Sequence, residues 1–435
     1  MKIILLSGGS GKRLWPLSNE IRSKQFLKVV KSENNKKESM LQRVYRQILT
    51  AYPDAEIMIV TSEAQTEAIK NQIGIDAEII AEPERRNTYP AIMLSAAYLY
   101  YEKRCDPNEA VVILPVDPYV NEEYFVKLTE LADAVLKNTA DIVLMGITPT
   151  YPSEKYGYII LEGSGDIKKA VKFKEKPDEQ TAERLISRGA LWNSGALAVK
   201  LSYLFDLLAA KTNCKSFHDV INKYHQLENT SFDYAVLETA DSVAVLPYSG
   251  EWKDLGTWNT LTEVMDSKPI GNVIMSNDCE NTHVVNELDI PIVVMGARDI
   301  VVAASHDGIL VSDKEQSSYI KSYVDSLTNR PMFEERSWGN YTVLNISTDE
   351  HGNKAITKKK FIRAGNAIEE TLHKNHSEVW TVLSGKAVVK IDGRNHDAFS
   401  GDTFTIPKNT THSLVAVKNT IIIEVQLIDF EDRLL

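Results

Sequence analysis

The first 26 residues, MKIILLSGGSGKRLWPLSNEIRSKQF, decide how the N-terminal part of the chain folds. An apolar run at residues 3–6 passes directly into SGGSG (7–11), which predicts a buried β-strand followed by a glycine loop. Glycines let backbone N–H groups approach phosphate oxygens because they carry no Cβ atom. Four cations follow, Lys12, Arg13, Arg22 and Lys24, although the whole chain has a formal charge of -11. The loop is therefore a candidate polyphosphate site.

Two common phosphate-binding motifs do not fit this loop. A P-loop needs glycine, four residues and then Gly-Lys-Ser/Thr, but Leu6 stands at its first position and Arg13 follows Lys12. The dinucleotide-binding fingerprint needs a third glycine where Leu14 stands. The cluster of cations nevertheless favours triphosphate binding over a tight turn without a ligand.

Length and composition indicate a globular protein of several domains. The chain has 435 residues, which is too long for one ordinary core, with 43% hydrophobic and 25% charged residues. It contains no membrane-length apolar run and no signal-peptide pattern. Three widely separated cysteines indicate reduced thiols, and the negative charge argues against general nucleic-acid binding. We expect a cytoplasmic protein that binds neither nucleic acid nor membrane.

Two changes of pattern divide the chain into three parts. Up to about residue 265, apolar runs such as AVVILPVD (110–117) alternate with helix-like segments such as ESMLQRVYRQILTAY (38–52). This alternation predicts an α/β domain with a mostly parallel sheet. The later parts are rich in short β runs separated by turns. We expect an α/β domain at 1–265, an all-β module at 266–330 and a β-rich tail at 331–435.

Polar residues that follow the predicted strands are candidates for a shared site. Ligands of α/β sheets bind beyond the carboxyl ends of the strands. The glycine loop, Asn87-Thr88 and Asp117 each follow a predicted strand. We therefore expect these residues at one rim of the sheet.

The stretch SGGSGKRLWPLSNEIRSKQF (7–26) closely resembles the signature of mannose-1-phosphate guanylyltransferases. One departure is Ser23, where that family usually has proline. Further matching segments follow in family order: AEPERRNTYPAI (81–92), ILPVDPYV (113–120), GITPTYPSEKYGYI (146–159), FKEKP (173–177), WNSGA (192–196), SFDYAVLE (231–238) and WKDLGTW (252–258). The resemblance implies a Rossmann-like nucleotidyltransferase domain, a short left-handed β-helix and a C-terminal cupin, which is a jelly-roll β-barrel.

The resemblance also implies a reaction in which GTP and mannose 1-phosphate give GDP-mannose and pyrophosphate. Such a transfer depends on alignment and on neutralising phosphate charge, so it needs cations and a metal with oxygen ligands. By resemblance, Asp117 and Asp254 hold Mg²⁺, and Arg13 and Lys24 are catalytic together with them. The nucleotide-binding residues implied are Leu6, Gly8, Gly9, Gly11, Lys12, Asn87 and Thr88.

The sugar-binding residues implied are Gly157, Glu175, Asn193 and Asp233. Carboxylates and amides read a ring of hydroxyls through paired hydrogen bonds. Another sugar 1-phosphate, such as a manno-heptose, fits the same residue types and is the nearest alternative substrate. We expect a homodimer, with the β-module serving packing and subunit contact, and we expect His306-Asp307 of that module to lie in an exposed turn.

The tail carries the residue spacing of the two cupin motifs, at 365–385 and 401–412. His373, Glu378 and His412 would face one barrel mouth, and two imidazoles with a carboxylate suit Zn²⁺ or a similar divalent ion.

Two departures from the usual cupin pattern leave the function of the tail open. Thr371 stands where a metal ligand is usual, and His376 stands where the phosphomannose isomerase version has arginine. A bifunctional enzyme with isomerase activity, an altered or metal-free site and a binding module without chemistry are the alternatives. We expect no efficient isomerase activity, because the residues that complete such a site are missing.

Overall fold

A computed structural model of the chain describes residues 1–9, 11–32, 36–265, 268–327 and 330–429. These residues form two compact units. Apart from the gaps just given, the first unit comprises residues 1–9, 25–66 and 77–256, and the second comprises residues 11–24, 67–76 and 257–429. The N-terminal signature is thus shared between the units. None of the described helices combines the length and the apolar content that crossing a bilayer requires.

The described residues up to 265 alternate strands and helices, as the sequence pattern predicted. The strands are β1 (Lys2–Leu6), β2 (Val30–Lys31), β3 (Lys37–Glu38), β4 (Glu56–Ser62), β5 (Glu78–Glu82), β6 (Ala110–Pro115), β7 (Pro118–Val120), β8 (Ile142–Ile147), β9 (Tyr158–Glu162), β10 (Lys168–Lys174), β11 (Leu191–Lys200), β12 (Val243–Tyr248) and β13 (Trp252–Asp254). The helices are α1 (Met40–Ala51), α2 (Thr66–Gln72), α3 (Thr88–Ala97), α4 (Glu122–Leu136), α5 (Glu179–Ser187), α6 (Leu201–Lys211), α7 (Phe217–Asn222) and α8 (Trp258–Glu263).

The main sheet of the first unit has the strand order β5-β4-β1-β6-β11-β8-β12-β10-β9. Parallel pairs join β1 to β4 and β6, β4 to β5, and β8 to β12. β11 runs antiparallel to both of its long neighbours, β6 and β8, and β9 and β10 are also antiparallel. The sheet is therefore mixed rather than mostly parallel, because the chain returns through β11 between two parallel groups.

Burial in the first unit follows the apolar pattern of the sequence. Residues 3–5 of β1 are fully buried. Every residue of α3 after Thr88 is buried, so this helix lies within the core. Ser39 caps the start of α1: its hydroxyl accepts from the N–H of Gln42 while the Gln42 side chain accepts from the N–H of Ser39. These elements fix the turns that carry the candidate residues.

The β-module consists of short strands on three parallel ladders and one antiparallel ladder, between its last two strands. Its elements are β14 (Pro269–Ile270), β15 (Val273–Met275), β16 (His283–Asn286), β17 (Ile292–Val294), β18 (Ile300–Ser305), β19 (Gly308–Asp313) and α9 (Lys321–Val324). β16 pairs in parallel with β14 and β18, and β15 pairs in parallel with β17, which is typical of successive coils of a β-helix. His306-Asp307 forms the turn between β18 and β19, but only His306 is exposed, because Asp307 has structural partners.

The tail is a β-barrel of two sheets, as expected for a cupin. Its strands are β20 (Phe333–Arg336), β21 (Gly339–Thr348), β22 (Lys354–Ile362), β23 (Ala367–Leu372), β24 (Ser377–Ser384), β25 (Lys386–Ile391), β26 (Arg394–Phe399), β27 (Thr403–Ile406), β28 (Thr411–Ala416) and β29 (Thr420–Ile428). The sheets have the orders β20-β21-β22-β29-β24-β27 and β23-β28-β25-β26. Trp380, Val389 and Leu414 are central members of the buried core.

α2 supplies side chains to the start of this barrel within the second unit. The Glu67 carboxylate accepts hydrogen bonds from the N–H (3.1 Å) and the hydroxyl (2.7 Å) of Ser337. The Asn71 side-chain amide donates to the carbonyl oxygens of Arg336 (2.5 Å) and Gly339 (2.6 Å). A segment of the α/β sequence therefore belongs structurally to the second unit.

Candidate functional site

A pocket of about 210 Å³ in the first unit gathers candidate residues from distant parts of the sequence. Six of the residues named from the sequence line it: Asp117, Gly157, Glu175, Asn193, Asp233 and Asp254. Leu6, Gly8, Gly9, Asn87 and Thr88 belong to the same unit but are not among the lining residues, whereas Gly11, Lys12, Arg13 and Lys24 belong to the second unit.

Asp117 and Asp254 are brought together by a ladder outside the main sheet. Asp117 follows β6, and β7 begins at the next residue. β7 pairs antiparallel with β13 so that Asp254 lies opposite Pro118. Both aspartates are half-buried and line the pocket. Two carboxylates on one wall provide the hard oxygen ligands that Mg²⁺ prefers, so the donor set fits this ion.

Asn193 is positioned by an irregularity in β11. The pairing of β11 with β8 is regular at Asn193, shifts register, and resumes at Leu197. Such a bulge re-aims a side chain that would otherwise follow the pleat. The Asn193 amide donates to Oδ1 of Asp233 (2.7 Å), and its Oδ1 accepts from the N–H of Gly195 (3.1 Å). The Asn193 N–H donates to the carbonyl of Gly157 (2.8 Å), which joins these two lining residues.

Gly157 is required by the close approach of Glu175. A Cβ atom at residue 157 would lie 2.5 Å from Glu175 Oε2 and 3.0 Å from the ring of Phe173. Glu175 is also bonded to the Lys176 ammonium group. Burial, followed by the nearby charge of Glu175, raises the pKa of Asp233 above its ordinary value. Hydrogen-bond donors of a ligand placed between Asp233 and Glu175 would therefore stabilise both carboxylates in their ionised form.

Two aromatic residues of the pocket, Tyr156 and Trp252, were not singled out from the sequence. Tyr156 and Trp252 line the pocket, and the ring of Tyr156 makes edge contacts with Trp252 (5.2 Å) and Trp192 (4.9 Å). Burial, a hydrogen bond with Tyr151 and the charge of Asp254 raise the pKa of Tyr156 well above its ordinary value. Tyr156 is therefore a neutral hydroxyl in the pocket. Its place in a matching segment was the available signal.

Glu82 lies beneath the glycine loop and was also missed from the sequence. It is the last residue of β5, and its side chain is buried. A Cβ atom at Gly8 would lie 3.3 Å from Glu82 Oε2, and the Tyr224 hydroxyl donates to Oε1 (2.6 Å). Burial raises the pKa of Glu82 in spite of this hydrogen bond. A further pair of donors would stabilise the ionised form.

Gly9 continues the loop away from the end of β1. Leu6 ends that strand between β4 and β6, and it is half-buried. The Gly9 carbonyl accepts from the side-chain amide of Gln65 (3.2 Å) and the guanidinium of Arg85 (3.4 Å). Gly8 and Gly9 are exposed, so their backbone can be approached by a ligand.

Asn87 and Thr88 form the start of α3. The Asn87 side chain caps the helix by accepting from the N–H of Thr88 (2.9 Å). The Thr88 hydroxyl accepts from the N–H of Phe232 (2.9 Å), next to the pocket residue Asp233. Both residues thus have a structural role beside their expected contact with a nucleotide.

In the second unit, the conformation of the loop at residue 11 demands glycine. Its φ is +63°, and a Cβ atom there would lie 2.8 Å from Cα of Ser23 and 3.3 Å from the backbone nitrogen of Lys24. Lys24 opens a 3₁₀ turn that extends to Phe26, and its side chain is half-buried. Gly11 therefore allows the two ends of the cationic loop to meet.

Lys12 and Arg13 lie on a 3₁₀ turn directly after Gly11. Arg13 is exposed. The Lys12 ammonium group forms ion pairs with Asp325 (3.4 Å) and Glu20 (3.7 Å). Arg13 is therefore the more accessible of the two cations.

The cupin residues meet as the motif spacing predicted. One ligand atom from each of His373, Glu378 and His412 lies within 4.8 Å of the others. Nε2 of His373 and of His412 each lie 3.4 Å from a Glu378 oxygen. They border a cavity of about 550 Å³ whose wall also includes Lys358 and Lys360. The donor set suits a borderline divalent ion such as Zn²⁺.

The neighbours of the triad differ from the usual pattern and occupy its ligand atoms. His376 Nε2 lies 3.1 Å from Glu378 Oε1, and the Thr371 hydroxyl lies 3.2 Å from His412 Nε2. Burial alone would raise the pKa of Glu378, but hydrogen bonds from His376 and His412 outweigh it and hold that pKa below its ordinary value. Burial lowers the pKa of His373. Glu378 is therefore an ionised carboxylate that already accepts hydrogen bonds from its neighbours.

Comparison with known proteins assigns two segments of the chain to families. The family described as "Nucleotidyl transferase" matches residues 2–269, and the "Cupin domain" family matches residues 362–425. The mannose-1-phosphate guanylyltransferase RfbM of Salmonella typhimurium is 28% identical over 94% of this chain and 90% of its own. The xanthan biosynthesis protein XanB of Xanthomonas campestris is 29% identical over 94% and 91%.

A similar fold has been solved. The crystal structure of a protein called mannose-1-phosphate geranyltransferase, from Thermus thermophilus, has a TM-score of 0.61 and 27% identity, and the match covers 75% of this chain and 99% of that chain.

Proposed function

The chain belongs to the nucleotidyl transferase family, and we propose that it joins GTP to mannose 1-phosphate, giving GDP-mannose and pyrophosphate. The observation that carries this proposal is the pocket in which Asp117 and Asp254 share a cavity with Glu175, Asn193 and Asp233. The two aspartates offer ligands for a metal, and Glu175, Asn193 and Asp233 offer acceptors for sugar hydroxyls. The names of the relatives support the same substrates.

In this reaction a phosphate oxygen of mannose 1-phosphate forms a bond to the α-phosphorus of GTP. The bond from that phosphorus to the β-bridging oxygen breaks, and pyrophosphate takes the electron pair. A magnesium ion on Asp117 and Asp254 would neutralise phosphate charge and orient the reacting groups. Arg13 would stabilise the leaving pyrophosphate, and Lys24 the reacting phosphates.

The sugar would lie against Gly157, with its hydroxyls between Glu175 and Asp233. Both carboxylates can only accept hydrogen bonds when ionised, and Asn193 offers a donor and an acceptor. Because the pKa of Asp233 is raised by burial and by Glu175, sugar hydroxyls that donate to it compensate for lost solvation. A manno-heptose 1-phosphate would satisfy the same groups and is the alternative acceptor.

Glu82 supports guanine as the base. Guanine presents two adjacent donors on one edge, N1–H and the 2-amino group, and a carboxylate accepts both in a bidentate pair. Adenine presents an acceptor at N1, which a carboxylate repels. Glu82 is buried beside Gly8 at the start of the loop, with one oxygen already bonded to Tyr224. This geometry favours GTP over ATP.

In the cupin we propose a Zn²⁺ or similar divalent site on His373, Glu378 and His412 without efficient isomerase activity. Isomerisation requires a metal to polarise the sugar carbonyl and a base to move a proton between neighbouring carbons. Here Thr371 contributes a hydroxyl in place of a usual metal ligand, and it engages His412. His376 engages Glu378.

We propose that the chain is a cytoplasmic homodimer. The three cysteines are free thiols, as expected for a reducing compartment, and the triphosphate donor is a cytoplasmic metabolite. Ile274 and Val293 are paired across β15 and β17, and each is 60% exposed. Met295 beside them is 76% exposed. An apolar surface of this kind marks an interaction face.

The first prediction concerns the metal pair. With GTP, mannose 1-phosphate and Mg²⁺ the protein should release pyrophosphate, and Asp117→Ala or Asp254→Ala should lower kcat by about 100-fold or more, because phosphate charge is no longer neutralised. Pyrophosphate release is measured beside circular dichroism. Asp133→Ala, on the exposed face of α4, is the matched control. Near-normal turnover of either pocket variant would contradict the assignment.

The second prediction concerns the base. Glu82→Gln replaces an acceptor oxygen by a donor, so the ratio of kcat/KM for GTP to that for ATP should fall by about tenfold or more. Glu78→Gln, at the other end of β5, should leave the ratio unchanged. An unchanged ratio in Glu82→Gln would exclude this carboxylate from base recognition.

The third prediction concerns the cupin. Dialysis against Zn²⁺ should load about one ion per chain more in the native protein than in His373→Ala or His412→Ala, with the exposed His351→Ala as control. The loaded native protein should not convert fructose 6-phosphate into mannose 6-phosphate. Turnover of about 1 s⁻¹ or faster would make the protein bifunctional, and equal zinc contents would refute the metal site.

The fourth prediction concerns the subunit contact. Val293→Glu should shift the sedimentation of the native protein from dimer to monomer, because a charge would be buried in the interface. Val126→Glu, at a site of similar exposure on α4, should not. A native protein that sediments as a monomer would contradict the proposal.

A further inference from the structure

The second half of the signature loop is held by the β-module, within the second unit. The Arg22 guanidinium donates two parallel hydrogen bonds to the Glu287 carboxylate, at 2.7 and 2.9 Å. The Arg22 side chain is 12% exposed, and its guanidinium lies 4.8 Å from the ring centre of Phe333. A bidentate pair of this kind fixes orientation as well as distance.

Asn19 makes a second connection three residues earlier in the loop. Its side-chain oxygen accepts from the backbone N–H groups of Ile21 (2.9 Å) and Arg22 (2.8 Å), so it shapes the loop locally. Its side-chain nitrogen donates to Oδ2 of Asp307 (2.8 Å). The other oxygen of Asp307 accepts from the N–H of Met332 (2.6 Å). One carboxylate thus joins the loop to the segment that enters the barrel.

The turn around Asp307 also contacts an earlier part of the loop, at Trp15 and Pro16. The Ser305 hydroxyl donates to the carbonyl of Pro16 (2.8 Å), and it accepts from the N–H of Asp307 (3.1 Å). A Cβ atom at Gly308 would lie 2.4 Å from the ring of Trp15, so the indole packs directly against this turn. The contacts extend from Trp15 to Arg22.

We propose that the β-module positions the signature loop, and with it Arg13 and Lys24. It does so through two contacts, Arg22–Glu287 and Asn19–Asp307, which together form a clamp on the loop. Lys24 follows Arg22 by two residues, so the position of its ammonium group depends on where Arg22 is held. Arg13 lies on the turn before Trp15 and depends on the other end of the same clamp. Displacements of about 1 Å in such a group cost about 100-fold in rate. This inference rests on the proposed role of Lys24 in nucleotidyl transfer.

The test compares Glu287→Gln and Asp307→Asn with the native full-length protein. Both substitutions keep side-chain size and remove the charge that holds the loop. Glu280→Gln is the matched control, because Glu280 pairs with Arg298 on the same module at 3.3 Å with both side chains exposed.

We expect kcat to fall about tenfold in each clamp variant. The KM for the sugar phosphate should not change, because Glu175, Asn193 and Asp233 are untouched. Amide hydrogen exchange in peptides covering 11–24 should accelerate in the clamp variants and not in the control. Arg22→Met combined with Glu287→Gln should lower kcat no further than either substitution alone, since the two residues act through one ion pair.

Hydrogen exchange is measured without substrate, so it tests the clamp independently of the proposed reaction. If the native protein uses another triphosphate or sugar phosphate, the proposed function fails, and the same kcat ratio is measured with that pair. Unchanged exchange at 11–24 overturns the clamp. A lowered melting temperature with unchanged kcat shows a merely structural contact and also overturns it.

Discussion

The antiparallel pairing of β7 with β13 is the interaction on which the pocket depends. Each strand has three residues, and the register sets Asp254 against Pro118, beside Asp117. The ladder therefore brings together two carboxylates that lie 137 positions apart in the sequence. In the proposed reaction, a divalent cation bound to them would offset the negative charge of the carboxylates and of the triphosphate.

Much of the site could be predicted because its residues follow strands or stand in long family segments. Asp117 ends an apolar run, and Gly8 and Gly9 end another. Glu82 was not identified from the sequence, since only the folded chain reveals that its carboxylate is buried beside Gly8. The shift after Asn193 escaped too, because a bulge depends on how β11 meets two neighbours at once. Local sequence reports strand and turn, whereas such contacts arise only in three dimensions.

The boundaries of the three expected parts stay a prediction. The two compact units show why a change in the sequence pattern does not by itself define a structural boundary. The sequence pattern changes at about residue 265, where the alternation of strands and helices stops. The loop from Gly11 to Lys24 nevertheless belongs to the same unit as the β-module. Arg22 and Asn19 carry no pattern that reveals partners more than 260 residues away. In the cupin, by contrast, motif spacing did bring His373, Glu378 and His412 together.

The contacts of α2 with the barrel have a consequence for how such a gene could be assembled. Glu67 and Asn71 lie inside the sequence matched by the nucleotidyl transferase family, but their side chains bind the backbone of residues 336–339. Exchanging the barrel by one crossover would remove the residues that Glu67 and Asn71 bind at its start. A barrel transplanted from another chain would therefore have to present the same backbone groups at this place for α2 to bind it.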